Sequence, residues 1–158
     1  MRKNLSNSRQ RCLDTAYRYL AYRPRSEFEV KTYLKRKGFS DIEDVTLELG
    51  NKGLLDDLAF AQFWTANRES FHPRSRNMLR SELKGKGVAV DIINEVVAEV
   101  DDEASAYDAA KKKANRFAEE DYDGFRRRLG IFLKQRGFGH EVVQNTVDRL
   151  WQERGQDA

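Results

Sequence analysis

Nearly all the chemistry this sequence can offer is that of fixed positive charge. Arg76, Arg80 and Lys84 stand four residues apart, so a helix would carry all three on one face despite their mutual repulsion. Lys31 and Lys35 hold equivalent places earlier in the chain, and Arg126 and Lys134 later. Such rows neutralise phosphates and release their counterions, so the chemistry they fit is binding of a polyanion. The candidate binding residues are Arg25, Lys31, Lys35, Arg74, Arg76, Arg80, Lys84, Lys86, Arg126, Arg127, Lys134 and Arg136.

Bond-making chemistry has much less to work with. His72 and His140 lie far apart, with no cysteine or second histidine at ligand spacing, so neither a metal site nor any other cofactor is expected. No phosphate-cradling Gly-x-x-x-x-Gly-Lys loop and no Gly-x-Ser-x-Gly elbow occurs. The acidic pairs Asp56-Asp57 and Asp101-Asp102 fit helix capping better than catalysis. Phe60, Phe63, Trp64 and Trp151 fall at helical spacing and are expected in the core. Cys12 stands alone, which rules out an internal disulfide and suits a small buried residue.

The elements that must position the cations emerge when the chain is compared with itself. Leu34-Lys35-Arg36-Lys37-Gly38-Phe39 recurs as Leu83-Lys84-Gly85-Lys86-Gly87-Val88 and as Leu133-Lys134-Gln135-Arg136-Gly137-Phe138. An aliphatic residue precedes each leucine by one turn: Val30, Leu79 and Leu129. Each copy therefore predicts a helix with a buried face, basic residues at its negative end and a left-handed glycine that stops it. A helix precedes each basic helix (Ala16, Tyr17 and Leu20; Phe60, Phe63 and Trp64; Tyr107, Ala110 and Ala114). Another follows it (Ile42, Val45 and Leu49; Ile93, Val96 and Val100; Val143, Val147 and Leu150).

The expected architecture is all-α, an elongated curved array of three tandem three-helix repeats over residues 8–55, 56–100 and 101–154. Ser26 with Glu29 spells a capping box for the first basic helix. Residues 1–7 and 154–158 are expected to be disordered. Only two prolines interrupt a chain in which β-branched residues are sparse beside Leu, Ala, Lys, Arg and Glu, which supports helix throughout.

Charge is segregated. Residues 22–39 carry six Lys or Arg against two acids, 71–88 five against one, and 121–138 five against two, although the whole chain is only +3. The helix after each glycine is acidic, with Asp41, Glu43, Asp44 and Glu48 in the first copy. A helix-turn-helix module that inserts this second helix into the major groove would place carboxylates against phosphates, so base-specific reading is disfavoured. No apolar run approaches the ~20 residues of a membrane span. Met1 to Asn7 also lacks the apolar stretch of a signal peptide, so a cytoplasmic, non-membrane protein is expected.

Three segments resemble the RecX family. They are Leu20-Ala21-Tyr22-Arg23-Pro24-Arg25-Ser26-Glu27-Phe28-Glu29 with Leu34 and Lys37-Gly38-Phe39; Gly53-Leu54-Leu55-Asp56-Asp57 with Phe60-Ala61; and Pro73-Arg74 with Glu82-Leu83 and Lys86-Gly87-Val88. The resemblance covers about residues 16–100 and weakens beyond. Gly124 stands where the other copies have Arg25 and Arg74, and His72 replaces a usual glycine. It implies a non-enzymatic, monomeric regulator that lies along the RecA filament. There it would inhibit ATP hydrolysis, strand exchange and assembly in recombination and SOS repair, contacting single- and double-stranded DNA. The alternative is a sequence-independent DNA-binding helical-repeat protein without a recombinase partner.

Overall fold

The computed structural model describes residues 1–156. Among them are nine α-helices: α1 (Arg2–Tyr22), α2 (Glu27–Arg36), α3 (Ile42–Asn51), α4 (Asp57–Phe71), α5 (Arg76–Gly85), α6 (Val90–Val97), α7 (Asp102–Ala114), α8 (Tyr122–Gln135) and α9 (His140–Gln156). A single 3-10 turn, Asn115–Phe117, follows α7, and no strand occurs among the described residues. The protein is all-α, built of tandem helical elements as the period implied.

The expected disorder at residues 1–7 is corrected, because α1 begins at Arg2. No Gly or Pro interrupts that stretch, so it adds turns to a helix already nucleated downstream. At the other end residues 154–156 continue α9, while 157 and 158 lie outside the described residues.

Each of the three glycines does end a helix. Gly38, Gly87 and Gly137 have φ of +86°, +74° and +90°. In each turn the glycine N–H donates to the carbonyl of the motif lysine at 3.0 Å. The next residue's N–H (Phe39, Val88 or Phe138) donates to the motif leucine's carbonyl at 3.1–3.2 Å. This paired pattern satisfies the orphan carbonyls of the last turn. Leu34, Leu83 and Leu133 are completely buried, as are Val30, Leu79 and Leu129.

The chain divides into two compact units. One comprises residues 1–64 with 83–93, the other 65–82 with residues from 94 onward. The core of the first gathers Cys12, Leu13, Ala16, Val30, Leu34, Val45, Leu49 and Leu55. The second unit's core contains Ala106, Ala110, Phe125, Leu129, Leu133, Phe138, Val143, Val147 and Leu150. Phe60 is buried and Trp64 and Trp151 half-buried, but Phe63 is 36% exposed, contrary to its expected place in the core.

One junction chemistry occurs in both units. In the first, the capping box of α2 is complete, and the Ser26 hydroxyl also donates to the Lys86 carbonyl at 2.6 Å. Asp57 accepts from the Glu27 N–H at 2.9 Å. In the second, Ser75 caps α5 through the Met78 N–H, and its own N–H donates to the Arg136 carbonyl at 3.1 Å. Asp102 accepts from the Arg76 N–H at 2.8 Å. Thus the N-termini of α2 and α5 each meet the carbonyl just before a later helix-ending glycine. Within each acidic pair the first aspartate caps its own helix, Asp56 through Ala59 and Asp101 through Glu103 and Ala104, while the second caps an earlier one.

Candidate nucleic-acid interface

Helices α2, α5 and α8 position the candidate cations, and the structure sorts them by what already neutralises them. On α2, Lys31 sits 3.1 Å from both Glu27 and Glu43, whose hydrogen bonds hold its ammonium pKa above the ordinary value. Just before that helix, Arg25 lies 3.9 Å over the Tyr19 ring and donates to the Tyr19 carbonyl. Tyr19 stacks on Tyr33 at 4.0 Å, and the Lys37 ammonium covers Tyr33 at 5.5 Å. Arg25 is thus the first member of a four-residue column, where its role is cohesive as well as electrostatic. Lys86 lies over Trp64 at 5.2 Å and 3.8 Å from Glu29, a carboxylate that also holds Arg23 at 2.6 Å. Lys35 is exposed and makes no ion pair among the described residues.

In the second unit Glu82 serves two cations, Arg74 at 2.7 Å and Arg68 at 3.0 Å. Arg76 reaches forward in the chain to the end of α6, donating to the carbonyls of Val97 at 3.0 Å and Ala98 at 3.1 Å. Its guanidinium therefore caps a helix C-terminus, where the dipole favours a cation. The row read from the sequence as three equivalent charges on α5 is one engaged arginine followed by two exposed cations, Arg80 and Lys84.

On α8, Arg126 is exposed and donates to Gln144 at 3.2 Å. Arg127 and Lys134 are exposed without ion pairs among the described residues, and line a groove with Arg126, Ile131 and His140. Arg136 is half-buried over Phe132, 5.0 Å from its centroid. Burial, with Arg74 and Arg68 nearby, holds its guanidinium pKa below the ordinary value. The departure at Gly124 has a structural counterpart: Asp121 caps α8 through the Gly124 N–H, so this basic helix begins earlier relative to its glycine stop than α2 or α5.

Cations outside the counted windows also converge. Lys111, Lys112 and Lys113 on α7 and Arg116 in the 3-10 turn line one cleft with Arg136. The lysine triplet was visible in the sequence, but the acidic average of the residues outside the windows masked it. Arg11, Arg18 and Lys37 form a smaller groove beside Tyr33. No group of acids, histidines or cysteines able to hold a metal ion occurs among the described residues, and no helix there is long and apolar enough to cross a membrane.

Comparison with known proteins agrees with the motif assignment. A family model described as "RecX, first three-helix domain" matches residues 12–45, and "RecX, second three-helix domain" matches 56–97. The regulatory protein RecX of Prosthecochloris aestuarii is 38% identical over 143 residues, 89% of this chain and 94% of the relative. The chain belongs to the RecX family. Regulatory protein RecX of Chlorobium phaeobacteroides is 36% identical over 144 residues, covering 90% of this chain and 95% of the relative. The crystal structure of RecX from Lactobacillus salivarius matches with a TM-score of 0.76 over 92% of this chain and 97% of that one. At 19% identity that likeness shows the shared fold alone. The Prosthecochloris and Chlorobium relatives are named as regulatory proteins.

Proposed function

We propose that this RecX-family chain regulates the RecA recombinase by binding its nucleoprotein filament, inhibiting ATP hydrolysis, strand exchange and filament growth in recombination and SOS repair. The observation that carries this reading is family membership, established by relatives that align over nearly the whole chain. Surface chemistry supports it: Lys35, Arg80, Lys84, Arg127 and Lys134 are exposed and make no ion pair among the described residues. Engaged cations such as Arg25, Lys31, Arg74, Arg76, Lys86 and Arg136 hold the fold, and the exposed ones supply contacts to DNA and to acidic protein surface. Three repeats, residues 8–55, 56–100 and 101–154, would act together in a monomeric, cytoplasmic, non-enzymatic protein that touches both single- and double-stranded DNA.

The exposed cations equally favour a second reading, a sequence-independent DNA binder without a recombinase partner. Co-sedimentation separates the two. With RecA filaments on single-stranded DNA, the protein should pellet at salt concentrations where it stays in solution with the same DNA alone. Equal pelleting in both would favour the second reading.

A further inference from the structure

Within the second unit, the end of α4, α7 and the C-terminal end of α8 surround a cleft of about 630 Å³. Lys111, Lys112 and Lys113 line it from α7, Arg116 from the 3-10 turn, and Arg136 from the residue after α8. None of these five cations makes an ion pair among the described residues. Glu69 and Asp108 also reach the lining, leaving cations in clear excess. Phe71, the last residue of α4, stands at the same cleft with 71% of its surface exposed.

We infer that this cleft is a binding site for single-stranded nucleic acid, with the lysines and Arg116 on its phosphates and Phe71 stacking on an unpaired base. The inference rests on the filament-binding reading and adds the place where a strand is held. Two features of the cleft act together. Uncompensated cations around a cavity select an anion. Phe132 cannot be the stacking surface, because Lys113 at 5.3 Å and Arg136 at 5.0 Å already occupy it. Among the described residues no cation covers Phe71, and an exposed ring beside cations is the combination that binds single strands without sequence preference. A duplex keeps its base faces stacked inside, and an acidic peptide supplies charge without a base to stack.

Fluorescence anisotropy with labelled oligo(dT) of about twenty nucleotides, on the full chain, tests the site. Phe71→Ala should weaken oligo(dT) binding about tenfold, the worth of one base–aromatic stack, and leave inorganic polyphosphate binding unchanged. The Lys112→Gln/Arg116→Gln pair should weaken both ligands and lower the slope of log affinity against log salt by about 0.7 per lost contact. Because all three side chains are exposed, circular dichroism should show unchanged folding. The inference is overturned if Phe71→Ala leaves oligo(dT) affinity intact, if a duplex of equal length suffers the same losses, or if polyglutamate displaces oligo(dT) as well as unlabelled oligo(dT) does. Inhibition of RecA by the unaltered protein is measured separately, so the filament reading and the cleft can each fail alone.

Discussion

Replacing each helix-ending glycine by alanine separates the cost of the turn from the cost of the junction around it. All three have positive φ, so each alanine incurs about 1–2 kcal/mol of left-handed backbone strain. At Gly38 nothing among the described residues lies within 4 Å of an added Cβ, so strain is the whole effect. At Gly87 the new carbon would overlap the Cβ and Cγ of Phe28, and at Gly137 it would lie 2.5 Å from the Ser75 hydroxyl and 2.8 Å from the Met78 Cβ. A side-chain Cβ moves only with its backbone, so these two positions add an overpacking term of about 1–3 kcal/mol. At about 2–4 °C per kcal/mol for a chain of this size, Gly38→Ala should lower Tm by roughly 3–6 °C. Gly87→Ala and Gly137→Ala should lower it by about twice as much. Differential scanning calorimetry on the three variants provides the comparison. Equal losses at all three would show that the glycines serve only the turn, and the junction assigned to Ser26–Lys86 and Ser75–Arg136 would be refuted.

Other expectations concern the engaged charges. Arg76→Ala should destabilise by about 1.5–3 kcal/mol in urea unfolding, because two α6 carbonyls lose a charged donor, whereas Arg80→Ala should stay within about 0.5 kcal/mol. Glu82→Gln should destabilise by about 1–3 kcal/mol, since Arg68 and Arg74 share that carboxylate, and added salt should reduce the loss. Asp148 and Glu153 have pKa values lowered first by hydrogen bonds from Tyr122 and Tyr107. Their stabilisation is therefore present above the unfolded-state carboxylate pKa and is lost as pH falls through the lower folded-state values. Tyr122→Phe with Tyr107→Phe should make the acid-side fall of Tm shallower; an unchanged profile would exclude these pairs as its source.

Local chemistry was the legible part of this sequence. The Leu-Lys-x-basic-Gly-apolar pattern specifies a helix end through bonds between residues a few positions apart, and all three turns follow it. The Ser26–Glu29 capping box is local in the same sense. Which cations are available was not legible, because that depends on neighbours distant in sequence. Arg76 finds α6 carbonyls twenty-one and twenty-two residues on, Lys31 finds Glu43, and Lys86 approaches Glu29. Asp57 and Asp102 could be recognised as capping residues from composition, yet the helix each one caps lies earlier in the chain. The cleft cations on α7 were hidden for another reason: averaging charge over windows discards a triplet flanked by acids, and only the fold brings it to Arg136.

The most direct test of the account is the steady-state ATP hydrolysis of RecA on single-stranded DNA, titrated with this protein at amounts well below one copy per RecA. Filament regulation predicts substantial inhibition in that range, where most of the DNA is still covered by RecA alone. Inhibition that begins only when enough protein is present to coat the DNA would contradict it.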